Sequence, residues 1–153
     1  MKKLLIVLLL CFSAHGFAQD YQKDLDAVKE ASFGYMDIFY KADTILAHKY
    51  IDKTLRKVGW SYSKEKGAYS GNNELPFDKV IELAMYFKKK PLPQDENTPR
   101  EVEVLEVNDK IAIVKVTALW GIDYLNLVKL DGKWKIINIV WQSPPKWTYR
   151  PEE

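Results

Sequence analysis

The chain has 153 residues, 47% of them hydrophobic and 29% charged, with 23 lysines and arginines against 21 acidic residues. That length and balance fit one globular domain with a real core. Near-neutral charge without a basic block gives no electrostatic case for nucleic acid, which is held by neutralising its phosphates.

Residues 1–18 belong to a different class. Lys2 and Lys3 open the segment, Leu4 to Phe12 form an apolar stretch, and Gly16-Phe17-Ala18 places small residues where a signal peptidase reads. A signal peptide is expected, with cleavage after Ala18 or Gln19 and export to the periplasm or the medium. The apolar stretch is well short of the roughly 20 residues that a membrane span requires. Processing removes Lys2 and Lys3, which lowers the 23 basic residues to 21 and balances the 21 acidic ones. The single cysteine, Cys11, leaves as well. Lipid attachment there would call for a small preceding residue, and Leu10 occupies that position. The mature chain is thus expected to have no disulfide and no cysteine metal site. No other metal-ligand spacing or phosphate-cradling glycine loop is present, and no cofactor is implied. Residues 19–143 read as one domain and 144–153 as a proline-rich tail, in which Trp147 could cover part of a sheet.

From Tyr21 to Ala42, Val28, Ala31, Tyr35, Ile38, Phe39 and Ala42 follow helical spacing and predict a long amphipathic helix, with Asp37 and Lys41 off its apolar stripe. Asp43 can cap a second, short helix over Thr44 to Ile51. Val58, Trp60 and Tyr62 then alternate with Lys57, Gly59 and Ser61, which predicts a modest hairpin closing near Ala68 to Ser70. Pro76 opens a third helix with Phe77, Val80, Ile81, Ala84 and Phe87 on one face, ending before Pro91. Pro91 to Pro99 is a solvated connector. A strand from near Arg100 slips its alternation around Val104, Leu105 and Val107, predicting a bulge near Glu106.

Ile111 to Trp141 carries three antiparallel strands. Asp131-Gly132 is a strong hairpin signal, because a type I′ turn needs positive φ at both central positions. Pairing outward from it, and treating Trp120-Gly121 as a second two-residue turn, puts Ala112, Val114, Val116, Ala118, Asp123, Leu125, Leu127, Trp134, Ile136, Asn138 and Val140 on one face. That face should receive the helices, with Asp123 and Asn138 as its polar exceptions. The other face keeps Ile122, Tyr124, Ile137, Ile139 and Trp141, more apolar surface than one expects to leave in water. A homodimer through it is one reading; scattered surface hydrophobes are the other.

The element order, together with DYLNLVKLDGKWKIINIVW, resembles the lumazine-binding family within the nuclear-transport-factor-2-like superfamily. The resemblance spans Tyr21 to Trp141 and is most specific in the closing hairpin. It implies an α+β fold in which a cone-shaped, curved antiparallel sheet wraps three helices. It also implies a pocket at the cone's mouth and dimerisation through the outer face.

A carboxylate on an apolar face must be paired, protonated or wetted by a cavity. Asp123 is therefore either the polar handle of a pocket or a solvated residue at the sheet's rim. Tyr35, Phe39, Asp123 and Asn138 are the candidate pocket residues. The main expectation is a binder of a small, largely apolar molecule. The alternative is an isomerase or dehydratase using Asp123 and His48, for which the superfamily offers precedents. His48 is the only histidine of the mature chain, and the family's frequent His-Pro pair is His48-Lys49 here. Its other reading is a helix-end residue that satisfies a nearby carbonyl.

Overall fold

A computed structural model describes the backbone of residues 2–149 and, apart from positions 72, 73, 147 and 149, the side chains from Gln19 onward. The expectations for Cys11 and Trp147 rest on side chains outside the described ones. Among the described residues the order is α1 (Lys2–Tyr40), α2 (Thr44–Tyr50), β1 (Ile51–Ser63), β2 (Ala68–Glu74), α3 (Phe77–Lys89), β3 (Arg100–Val107), β4 (Ile111–Ala118), β5 (Gly121–Leu130), β6 (Lys133–Gln142) and a short 3₁₀ turn, Lys146–Tyr149. No helix among them is long and apolar enough to cross a membrane.

The strands form one open sheet in the order β2-β1-β6-β5-β4-β3. Neighbours are antiparallel except β1 and β6, which run parallel. The curved face receives α1, whose Val28, Ala31, Tyr35, Met36, Ile38 and Phe39 are buried. Full burial of one such apolar side chain contributes roughly 1.5–3 kcal/mol, so this stripe is a main source of stability. Asp37, expected off the stripe, is buried as well, and ion pairs with Lys41 and Arg100 at 2.9 and 2.7 Å account for it. The α2 cap is as expected, with the Asp43 side chain accepting from the Ile45 N–H.

The hairpin at Asp131-Gly132 has positive φ at both residues, 47° and 75°. The pairs Leu130–Lys133, Val128–Lys135 and Leu127–Ile136 follow as predicted. Beyond them the register departs from expectation. Asn126 pairs with Asn138 and Leu127 with Ile136, so Ile137 is an extra, bulged residue. The bulge turns Ile139 and Trp141 toward the helices opposite Leu125 and Asp123, and sends Asn138 and Val140 to the outer face. Asn138 donates to Asn126 Oδ1 there. Its expected place beside Asp123 on the core face is thereby corrected.

The β4–β5 turn also differs. Ala118 pairs with Gly121 and Val116 with Asp123, so Leu119-Trp120 are the loop residues. That is a shift of two in pairing, and because side chains alternate with a period of two every residue keeps its predicted face. Leu105 is the extra residue of β3, which places the expected bulge one position before Glu106.

The largest departure is β1. A modest hairpin from Val58 was expected; the strand instead has 13 residues, starts directly after α2 and lies inside the sheet between β2 and β6. Its Leu55, Lys57 and Gly59 are buried, with Lys57 and Gly59 beside Ile139 and Trp141.

Candidate functional site

Two neighbouring rows cross the core face of the sheet. One carries Gly59, Trp141, Asp123 and Val116, the other Lys57, Ile139, Leu125 and Val114. Lys57 and Asp123 thus stand one row and two strands apart, with β6 between them, and adjacent strands lie roughly 4.8 Å apart. A lysine side chain is long enough to span that gap. Its Nζ reaches Asp123 Oδ1 at 2.9 Å, with side-chain exposures of only 5% and 0%.

α1 and the β4–β5 turn complete the cluster. Tyr35 comes down from α1, donates to Asp123 Oδ1 at 3.0 Å and accepts from Lys57 Nζ at 2.5 Å. Trp120 donates its indole N–H to Asp123 Oδ2 at 2.5 Å. Asp123 therefore receives three donors, two on one oxygen and one on the other. This is the pairing a buried carboxylate requires, since without it a charge on an apolar face would cost several kcal/mol. Burial, the Asp123 charge and the hydrogen bond to it hold the Tyr35 phenol well above the usual phenol range, so Tyr35 remains a donor.

That shift has a consequence for alkaline stability. Above about pH 10 an unfolded chain ionises its tyrosines while the folded chain keeps the Tyr35 proton. The folded state then binds more protons, so the contribution is fully present below about pH 10 and is lost as pH rises toward the folded value. Urea midpoints measured upward from neutral pH should fall on that limb, and Tyr35→Phe should flatten it. An unchanged slope in the variant would remove Tyr35 as its source.

Beside the cluster lies a cavity of about 170 Å³, lined by Phe39, Lys57, Glu74, Leu75, Leu83, Phe87, Leu92, Trp120 and Trp141. Each wall has a local cause. Phe39 lies one turn beyond Tyr35 on the α1 stripe. Leu75 is held over β1 because its N–H donates to Lys57 O at 2.8 Å. Leu83 and Phe87 are four apart on α3 and present one side chain above the other. Tyr40 holds two neighbouring segments: its hydroxyl donates to Pro99 O and accepts from the Leu119 N–H, while its own carbonyl accepts from Gln94 Nε2. The connector with Leu92 and the turn with Trp120 are so tied to one residue. Trp120 meets Phe39 edge-on at 5.1 Å and Tyr35 at 6.2 Å.

The structure brings Tyr35 and Asp123 together, with Phe39 against the Tyr35 ring at 5.6 Å. Of these, Phe39 lines the cavity, while Tyr35 and Asp123 stand behind Lys57 and Trp120. Asn138 is on the opposite face, and His48 is exposed, its ring against Phe77 at 5.2 Å. Neither lines the cavity. Lys57, expected only as a polar alternate of a hairpin, and Trp120, expected only as a turn residue, are not among the candidate pocket residues of the sequence. The available signal for Lys57 was a buried carboxylate in need of a cation and a lysine in phase with Leu55 and Gly59. Among the described residues no group of three or more histidine, cysteine, aspartate or glutamate side chains could hold a metal ion.

Solved structures share this architecture. An NTF2-like protein of unknown function from Shewanella baltica aligns with a TM-score of 0.57 at 16% identity over 82% of this chain and 97% of its own. An NTF2-like protein with a cystatin-like fold from Novosphingobium aromaticivorans gives 0.60 at 9% identity, covering 84% and 86%. An NTF2-like protein of unknown function from Silicibacter pomeroyi gives 0.53 at 17%, covering 82% and 98%. At these identities the likeness is one of fold. A comparison with curated proteins finds no match. The sequence profile of the family described as "Putative lumazine-binding" matches residues 23–142. With that match over most of the chain, on an open six-stranded α+β sheet packed against its helices, the protein belongs to this lumazine-binding family.

Proposed function

We propose that the chain binds a small, largely apolar molecule in the cavity between α3 and the sheet. The observation that carries this reading is the lining itself. Seven of its nine residues are apolar or aromatic, the exceptions being Lys57 and Glu74. Pockets of this kind, mostly hydrophobic with a few placed polar groups, are the usual form of small-molecule sites. An engineered apolar cavity of about 150 Å³ takes up benzene, so the volume suits one or two rings. Native mass spectrometry of the protein purified from its own host tests the reading. A low-mass molecule released with the folded chain is expected; a bare polypeptide at every stage of purification would contradict it. Leu83→Trp, which puts an indole into the cavity, should abolish the adduct while the circular dichroism spectrum stays unchanged.

The isomerase or dehydratase alternative has less support. Asp123 has donors on both oxygens and full burial, and His48 is exposed beside Phe77, so the two do not converge on one substrate position.

In this reading residues 1–18 are removed on export, 19–143 form the domain and 144–153 the tail. The exported chain acts as a homodimer through the outer sheet face. The bulge at Ile137 takes Ile139 and Trp141 away from that face, yet Ile113 and Tyr124 remain on it and Val140 and Trp60 join them, at 38–47% exposure. Sedimentation of the chain starting at Gln19 should give twice the monomer mass, and Tyr124→Asp should give the monomer. A monomer in the unsubstituted protein at micromolar concentration would exclude the dimer.

A further inference from the structure

We infer that the cavity selects a neutral ring compound carrying a hydrogen-bond acceptor, such as a cyclic ketone, whose oxygen takes the remaining N–H of Lys57. This rests on the cavity being a binding site at all and goes on to name the chemistry of what enters it.

The argument starts from Lys57. An ammonium has three donors. Two are engaged by Tyr35 Oη and Asp123 Oδ1. Around the same Nζ stand three ring faces, with centroids at 5.1 Å for Tyr35, 5.4 Å for Trp141 and 5.7 Å for Phe39. Phe39 and Trp141 are also cavity walls. Lys57 is itself a cavity wall, so its third N–H is left to whatever enters the cavity, and so is the buried Trp141 indole N–H on the neighbouring wall, which has no partner among the described residues. A buried donor of this kind gains from an incoming acceptor and makes a hydrogen bond stronger than a neutral pair would.

Charge decides between acceptors. The Lys57 charge is already countered by Asp123 at 2.9 Å, and the other charged wall is Glu74, exposed at the mouth. A carboxylate or phosphate would pass Glu74 and then meet a cation whose partner is another carboxylate. It would lose its own hydration without a free counter-charge. An amine would face the Lys57 ammonium at the inner end. A neutral oxygen avoids both costs, and the apolar walls take the ring.

Four probes of one shape test this: 1-indanone, indane, indane-1-carboxylate and 1-aminoindane, titrated while the tryptophan fluorescence of the protein, to which Trp120 and Trp141 contribute, is followed. The ketone is expected to bind about tenfold more tightly than indane, as one charge-assisted hydrogen bond allows, and both ions more weakly than the ketone. In Lys57→Met the ketone should fall to the level of indane. Where that variant does not fold, Lys57→Met combined with Asp123→Asn removes the stranded carboxylate and makes the same comparison. Equal binding of ketone and hydrocarbon by the unsubstituted protein overturns the inference while leaving the cavity a binding site. So does a ketone preference that survives loss of Lys57, or tighter binding of the carboxylate. Failure of all four probes to bind overturns the inference and the proposed function together.

Discussion

Lys57→Met is expected to cost about 3–5 kcal/mol of folding stability, the effect of stranding one member of a buried ion pair. The methionine fills most of the lysine's volume, so lost packing is a small part of it. What dominates is the Asp123 carboxylate, fully buried and left with Tyr35 and Trp120 as its only donors. Chemical denaturation of the single variant should show this as a lower midpoint with the same m-value. Adding Asp123→Asn should restore much of the loss, because the charge is then gone. If the single variant lost under 1 kcal/mol, Lys57 would have to be replaced in its role by water from the cavity. The pair would then be far wetter than its exposures of 5% and 0% imply.

Gly121→Ala carries the second large effect, about 3 kcal/mol, from backbone strain and overpacking together. Gly121 has φ +131°, and a Cβ there would lie 2.0 Å from Gln142 O, an atom of the neighbouring strand's backbone that cannot swing aside. The position matters to the site because Gly121 follows Trp120 directly. Shifting the turn moves the indole that donates to Asp123 and walls the cavity. A lowered melting temperature together with a changed Trp120 emission is the expected result. A variant as stable as the parent, with the same emission, would show that the turn accommodates a side chain without moving.

How far the sequence revealed this site depends on where each residue sits relative to a fixed reference. The Asp131-Gly132 turn anchors the register, and pairing counted outward from it is right as far as Leu127–Ile136. Past that point the chain reads Ile136-Ile137-Asn138-Ile139, apolar at both parities, so alternation cannot reveal that Ile137 is the extra residue. Asn138 was misplaced for that reason. Asp123 kept its face through a different error: its turn was misassigned by two residues in pairing, and an even slip preserves the side. Of the three ways open to Asp123 on an apolar face, paired, protonated or wetted by a cavity, its contacts with Tyr35, Lys57 and Trp120 correspond to the first.

Lys57 was hidden because the visible pattern in β1 was the wrong one. Val58, Trp60 and Tyr62 look like the buried set of a small hairpin, yet Trp60 is 40% exposed and faces outward. The core side is Leu55, Lys57 and Gly59, a leucine, a charge and a residue without a side chain, which no hydrophobic periodicity marks. The parallel pairing of β1 with β6 joins segments some 80 positions apart along the chain, a long-range contact that local pattern does not carry. Gly59 gains a reason only from the folded chain, where a Cβ would lie 2.3 Å from the Trp141 ring and backbone oxygen.

The central claim is that the space between α3 and the sheet accepts an apolar molecule. Intermolecular nuclear Overhauser effects between benzene and the methyl-labelled protein test it most directly. Cross-peaks from benzene to the methyl groups of Leu75, Leu83 and Leu92, absent in Leu83→Trp, are the result this account predicts. Cross-peaks confined to outer-face methyl groups such as those of Ile113 and Val140, or none at all, would contradict it.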